Sequence, residues 1–207
     1  FSQLFHTVKG YPVYILSGLI AWTFFSQATT ASLSSNIWGS SLLHRIYLPR
    51  TAFTVSAIGT GLANLVLSLI PLFLIIFLTK HSLHWAILFL PISMLGLGCF
   101  ALGVGFLLST LAVYFPDIVD MYQVVLTAWI YLTPIFYPAD IIPAPYRQLL
   151  LSINPMYYLV LIFRQPIYEG VIPSWPILAI GAGIALITLV SGWLIFSWKA
   201  NEFTYRT

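Results

Sequence analysis

Apolar residues run along this chain in long unbroken blocks, without the alternation of a strand or the narrow stripe of a soluble helix. A membrane-crossing helix needs about 20 mostly apolar residues. Windows at 11–38, 51–79, 85–113, 118–136 and 177–198, free of charge apart from Asp120, each predict one. The fourth begins around the acidic pair Asp117 and Asp120. Nothing between the windows has the length or polarity of a soluble domain. The expected fold class is therefore all-α and integral to a membrane, one domain over residues 1–207 with five transmembrane helices.

Between the fourth and fifth windows the pattern breaks. Pro134, Pro138, Pro143, Pro145, Pro155, Pro166, Pro173 and Pro176 punctuate this stretch, yet residues 149–163 are again apolar and uncharged. That run is too short to cross at about 1.5 Å rise per residue. Prolines fix φ and remove backbone donors, so they divide the stretch into short helices with turns. Over 138–173 we expect two short helices dipping into the membrane and returning on the same side, with an ordinary interfacial loop as the plainer alternative. Broken backbone at membrane depth survives only where protein or a water-filled cavity lines it.

Small residues mark where helices approach. Gly96, Gly98, Gly103 and Gly105 punctuate the third window, and the pairs Ala101/Gly105, Ala57/Gly61 and Ala179/Gly183 have small-xxx-small spacing, which bundle packing explains. Trp38, Trp85, Tyr131, Trp175 and Trp198 sit near window ends as interfacial anchors would. Trp22 and Trp129 lie well inside theirs, where aromatics can face a pathway.

Composition agrees with the pattern. The chain is 60% hydrophobic and 6% charged, against about 25% charged in an ordinary soluble domain. Its net charge of +3 is scattered and offers no basic track for nucleic acid. Cys99, the single cysteine, lies in an apolar stretch with no His or acidic residue near it in sequence and can form no internal disulfide. None of Lys9, Lys80 and Lys199 has the glycine frame of a phosphate-binding loop. His81 and His84 lack further ligands in sequence and read as a solvated turn beside Lys80. No carboxylate stands in mid-window, which argues against an ion-coupled carrier. Any transport must be driven from outside the chain. No catalytic residue, metal site or cofactor is expected on it.

Two loops stand out. In 39–50, Leu42, Leu43, Ile46 and Tyr47 share one helical face, Ser41, His44 and Arg45 fall largely elsewhere, and Pro49 ends the helix before Arg50. Such a helix can lie on the membrane or insert into a partner's groove. In 114–121, Pro116 turns the chain and Asp117 is placed to cap the next helix, a structural role. Charge counting does not orient the bundle: Lys9, Lys80, Arg147 and Arg164 fall on one side, Arg45, Arg50, Lys199 and Arg206 on the other. The weight of short loops near span ends mildly favours the Arg45/Arg50 side as cytoplasmic.

The run Gly18-Leu19-Ile20-Ala21-Trp22-Thr23-Phe24-Phe25, then Asn36, then Arg45-Ile46-Tyr47-Leu48-Pro49-Arg50, resembles the permease subunits of ABC-2 type transporters. Tyr131-Leu132-Thr133-Pro134-Ile135-Phe136-Tyr137-Pro138 followed by Asn154-Pro155 is similar to the same family's fifth span and the external segment after it. The nearest branch exports lipid-linked polysaccharide, O-antigen or teichoic acid. The resemblance runs in order along essentially the whole chain.

It implies six spans preceded by an interfacial helix, so that the windows here are spans two to six and Phe1 is the outer end of the first. It also implies cytoplasmic termini in a bacterial plasma membrane, which would break the charge tie. Residues 42–50 would be the coupling helix docking on a separate ATP-binding subunit, through Leu42, Leu43, His44, Arg45, Ile46, Tyr47 and Arg50, with Asp117 and Asp120 in the second cytoplasmic loop. The Pro-rich stretch would form external gate helices. Two permeases and two ATPases would make the working unit, with ATP and magnesium on the partner and lipid-linked glycan moving between the permeases. Trp22, Phe25, Trp129, Tyr131 and Tyr137 are candidates to line its path. One departure is Pro116, which stands where the family often has Arg. Two other functions remain open at this level: an exporter of drugs or other small hydrophobic molecules, and a membrane transferase using Asp140, Arg147 or Glu169.

Overall fold

The computed structural model of the chain describes residues 10–38, 51–80, 82, 84–115 and 117–199, and these contain helices, turns and no strand. The helices are α1 (Tyr11–Trp38), α2 (Thr51–Leu78), α3 (Leu90–Tyr114), α4 (Ile118–Leu132), α5 (Ala144–Ile153), α6 (Pro155–Tyr168) and α7 (Trp175–Lys199), with 3-10 turns at Trp85–Phe89 and Ala139–Ile141. Helices Thr51–Leu78, Trp85–Tyr114 and Trp175–Lys199 are long and apolar enough to cross a membrane. Helix α1 has the length, 28 residues, but carries more polar residues, among them buried Ser17, Thr29 and Ser32.

Helix α4 departs from expectation. It stops at Leu132 after 15 residues, where hydropathy extends the window to 136. The reason is Pro134: it has no N–H to donate, and its ring disfavours helical backbone at Thr133. Thr133 accordingly turns extended, at φ −96°, ψ 128°. About 22 Å of helix results, and the chain beyond it is unwound.

Helices α1 and α3 form the centre, with α2 packed on α1, α7 on α3, and α6 against α1, α3 and α7. The core is a continuous set including Phe25, Leu33, Leu65, Leu97, Phe100, Met156 and Phe163. In lipid no hydrophobic force drives helix against helix, so close packing and hydrogen bonds must hold them together. The closest approach is between α3 and α7. A Cβ on Gly103 would strike the Thr188 backbone, and one on Gly192 would strike the Gly103 carbonyl. Gly61 meets Ala28 of α1, and Gly105 meets Ser32 of α1 and Thr54 of α2. Gly96 and Gly183 have no neighbour within 4 Å among the described residues, so the Ala179/Gly183 pair does not mark a contact there.

The termini sort to two ends. Ser109 near the end of α3 lies 3.4 Å from Ser32 of α1 and 3.4 Å from Thr54 at the start of α2, while Lys199 ends α7 over the ring of Tyr114. One end therefore gathers the flanks of loop 39–50, Asp117, Asp120 and Lys199. The opposite end holds Tyr11, Thr79, Lys80, His84 and residues 133–174.

Candidate functional site

The unwound stretch after α4 meets its hydrogen-bonding needs almost residue by residue. Buried carbonyls without partners are costly, and here side chains from α1, from α6 and the turn before it, and from the stretch itself supply them. Asn154 Nδ2 donates to the Leu132 carbonyl (3.2 Å) and to Thr133 Oγ1 (2.9 Å). Tyr11 donates to the Phe136 carbonyl (2.9 Å), and Tyr14 to the Tyr137 carbonyl (3.1 Å). Tyr137 donates to the Tyr131 carbonyl (2.7 Å). Burial pushes the Tyr137 phenol above its usual range, so it stays a protonated donor.

Arg164 of α6 completes the set. Its Nη1 donates to Pro134 (3.0 Å) and its Nη2 to Ile135 (3.3 Å), and its guanidinium lies 3.8 Å from the centroid of the Tyr14 ring. The residue is 4% exposed, and among the described residues no carboxylate forms an ion pair with it. Taking an ion out of water costs several kcal/mol. Two hydrogen bonds from a charged donor return about 1.5–3 kcal/mol each, and a desolvated cation–π contact about 2 kcal/mol. These offset the burial cost without a counter-ion.

Asn154 is the second hub. It caps α6 by accepting from Met156 N (3.1 Å), with Pro155 at the first helical position. Both choices suit a helix start. Its Oδ1 also accepts from the indole of Trp129 (2.9 Å).

The five candidate path aromatics divide. Trp22, Phe25 and Trp129 pack against one another tilted or edge-to-face at centroid distances of 5.5–5.9 Å, and Phe25 stacks on Phe100 at 5.3 Å. Phe25 is wholly buried and faces no open surface. Trp22 shows only an edge. That edge and Tyr131 line one open groove of about 530 Å³ between α1 and α4, together with Gln27, Thr30, Gln123 and Thr127. Tyr131 is exposed, and Tyr137 braces its carbonyl from behind.

A second cleft, about 360 Å³, opens on the other flank of α1 against α2 and shares Gln27 with the first. Its α2 wall carries Ser56, Thr60, Asn64 and Ser68 at four-residue spacing, one face of a helix. Gln27, Thr60, Asn64, Gln123 and Thr127 are all exposed. The outer face of α7, by contrast, presents Leu186, Ile187, Val190, Trp193 and Leu194. Exposed polarity is thus concentrated on the α2–α1–α4 side.

At the opposite end Asp117 and Asp120 are exposed. Asp117 does not cap α4 through its side chain, contrary to expectation: its backbone is helical (φ −67°, ψ −7°), and a capping side chain needs the extended conformation to fold back over the first turn. Residues Leu42, Leu43, His44, Arg45, Ile46, Tyr47 and Arg50 lie outside the described residues, as does Pro116. Asp140 and Arg147 form an exposed pair at 3.2 Å, and Glu169 accepts from Gln165 at 3.2 Å.

Sequence reasoning missed Arg164 and Asn154 as hubs. The signal for Arg164 was present as a lone cation directly after the apolar run 149–163; for Asn154 it was a capping residue directly before a proline.

Residues 1–168 match the ABC-2 type transporter family. Over 199 residues the chain is 28% identical to the O-antigen export system permease protein RfbA of Myxococcus xanthus, covering 95% of this chain and 76% of that protein. It is 27% identical over 201 residues to an O-antigen export system permease protein RfbA of Klebsiella pneumoniae, covering 96% and 75%.

Proposed function

Because the chain belongs to the ABC-2 type transporter family, we propose that it is the membrane-spanning permease subunit of an ATP-driven exporter of lipid-linked polysaccharide. The observation that carries this reading is the exposed polar side of an otherwise apolar bundle. An amide facing hydrocarbon without a partner costs about 4–8 kcal/mol. Gln27, Asn64 and Gln123 are therefore better placed against water, protein or a hydroxyl-rich substrate than against lipid. Amides and hydroxyls beside the exposed ring of Tyr131 and the small exposed part of Trp22 suit a glycan, whose sugar rings offer hydroxyls at the edge and C–H groups on the face. A small apolar drug would leave Gln27 without a partner and Gln123 with only its 3.5 Å contact to Thr30, so the groove favours the glycan reading.

In this reading α1 and α4 cross the membrane with α2, α3 and α7, and α5 and α6 form the external re-entrant pair. The bundle lies in a bacterial plasma membrane with its C-terminus cytoplasmic. Two copies face each other across their polar sides. Leu42, Leu43, His44, Arg45, Ile46, Tyr47 and Arg50 dock on two ATP-binding subunits, with Asp117 and Asp120 beside them. ATP and magnesium are bound by those subunits. The hydroxyl cluster Ser32–Thr54–Ser109 ties three helices next to the docking loop, so movement of that loop would reach α1, α2 and α3 together. Trp22 and Tyr131 contact the sugar, Tyr137 holds Tyr131, and Phe25 and Trp129 back the wall.

The test is co-purification and export. Arg45→Glu or Tyr47→Ala should weaken association with the ATPase subunit and reduce surface glycan; unchanged association and export in both variants would remove the docking assignment.

A further inference from the structure

We infer that Arg164 is a positioning residue for translocation: it latches unwound residues 133–137 to α1 and thereby sets the outer end of the groove. The inference rests on the exporter reading for what passes through the groove, and on geometry alone for the latch.

Three elements distant in sequence meet at this side chain. From α6 its two terminal nitrogens reach consecutive carbonyls, Pro134 and Ile135, and its plane lies over Tyr14 of α1. One turn along α1 stands Gly18, where a Cβ would collide with Nη2 and crowd the Ile135 side chain. The glycine leaves the room that the guanidinium occupies. Arg164 Nε has no partner among the described residues, and among them no carboxylate forms an ion pair with the guanidinium, the charge of Glu169 acting on it only from a distance. The latch therefore consists of two carbonyl contacts and one ring, each of which can break without stranding an opposite charge. A planar fork fits this task, because it meets two acceptors while lying on an aromatic face; an ammonium is a point charge and a neutral amide carries none.

The consequence passes outward along hydrogen bonds. Tyr14 also holds the Tyr137 carbonyl, and Tyr137 holds the Tyr131 carbonyl. Tyr131 lines the groove between α1 and α4. Arg164 touches no part of that groove, yet the backbone that places Tyr137 against Tyr131 rests on it.

The experiment uses the full-length permease with its ATPase partner in nanodiscs, carrying Cys99→Ser and Ile135→Cys. Position 135 is fully buried, so a water-soluble maleimide should react slowly while the latch holds. Arg164→Gln should speed labelling by at least about tenfold, since two charge-assisted hydrogen bonds are lost. Arg164→Lys should fall between. Gly18→Ala, which keeps the charge but displaces it, should behave like Arg164→Gln and serves if that variant fails to fold. In cells, without the cysteine changes, surface glycan should fall in the same order as labelling rises, with partial rescue by Lys. Slow labelling in both Arg164→Gln and Gly18→Ala would overturn the latch. Fast labelling with undiminished export would overturn its positioning role. Absence of glycan export by the unsubstituted protein would strike the exporter reading and leave the labelling result standing.

Discussion

The indole Nε1 of Trp129 donates to Asn154 Oδ1 across 2.9 Å, joining the end of α4 to the first residue of the turn into α6. One side chain thus caps a helix, holds an indole and satisfies the last carbonyl of α4. Asn154→Ala should destabilise the bundle by about 2–4 kcal/mol, the loss of a cap plus stranded buried partners. Asn154→Asp should cost at least as much, because a carboxylate still accepts from Trp129 and Met156 but sets a buried charge against the Leu132 carbonyl. Thermal unfolding in one detergent ranks the three proteins.

The α3–α7 crossing depends on absent side chains. Gly103→Ala and Gly192→Ala each force a Cβ into backbone and should destabilise by about 1–3 kcal/mol or more. Gly183→Ala, with open space around it among the described residues, should stay within about 0.5 kcal/mol. Melting temperatures of the three variants check the contrast.

The second and fifth windows and most helix bounds were legible from charge-free runs alone, because length and apolarity are all a crossing helix requires. The end of α4 was legible in part: Pro134 was visible, but hydropathy does not register a missing N–H, so the window ran four residues too far. The roles of Arg164 and Asn154 were not legible, since their acceptors lie 29–30 and 21–22 residues back along the chain, and only the folded arrangement brings them together. The helix-packing glycines were half legible. Spacing found Gly61 and Gly105, while Gly192 lies outside any small-xxx-small pair considered and emerges only against Gly103.

The groove makes a prediction that separates function from stability. Gln27→Leu combined with Gln123→Leu alters exposed side chains on α1 and α4 and should leave melting nearly unchanged. Each amide contact to a hydroxyl contributes about 0.5–1.5 kcal/mol, so export should fall several-fold to about a hundredfold. Surface glycan per copy of permease is the quantity to measure.

Asp117 and Asp120 should matter little to the fold, because Asp117 makes no side-chain cap. Alanine at either should cost within about 0.5–1 kcal/mol, the range for a charge near a helix N-terminus. A loss of ATPase association in the same variants, read by co-purification, would then reflect their surface position.

The central claim is that this chain provides a path for glycan and that a separate subunit supplies the energy. Proteoliposomes holding the full-length permease with its ATPase partner and lipid-linked polysaccharide test it directly, by counting glycan that reaches the opposite leaflet. The account predicts transfer only when both proteins and hydrolysable ATP are present, and its reduction by Gln27→Leu with Gln123→Leu. Transfer by the permease without its partner or nucleotide, or no transfer with all components present, would contradict it.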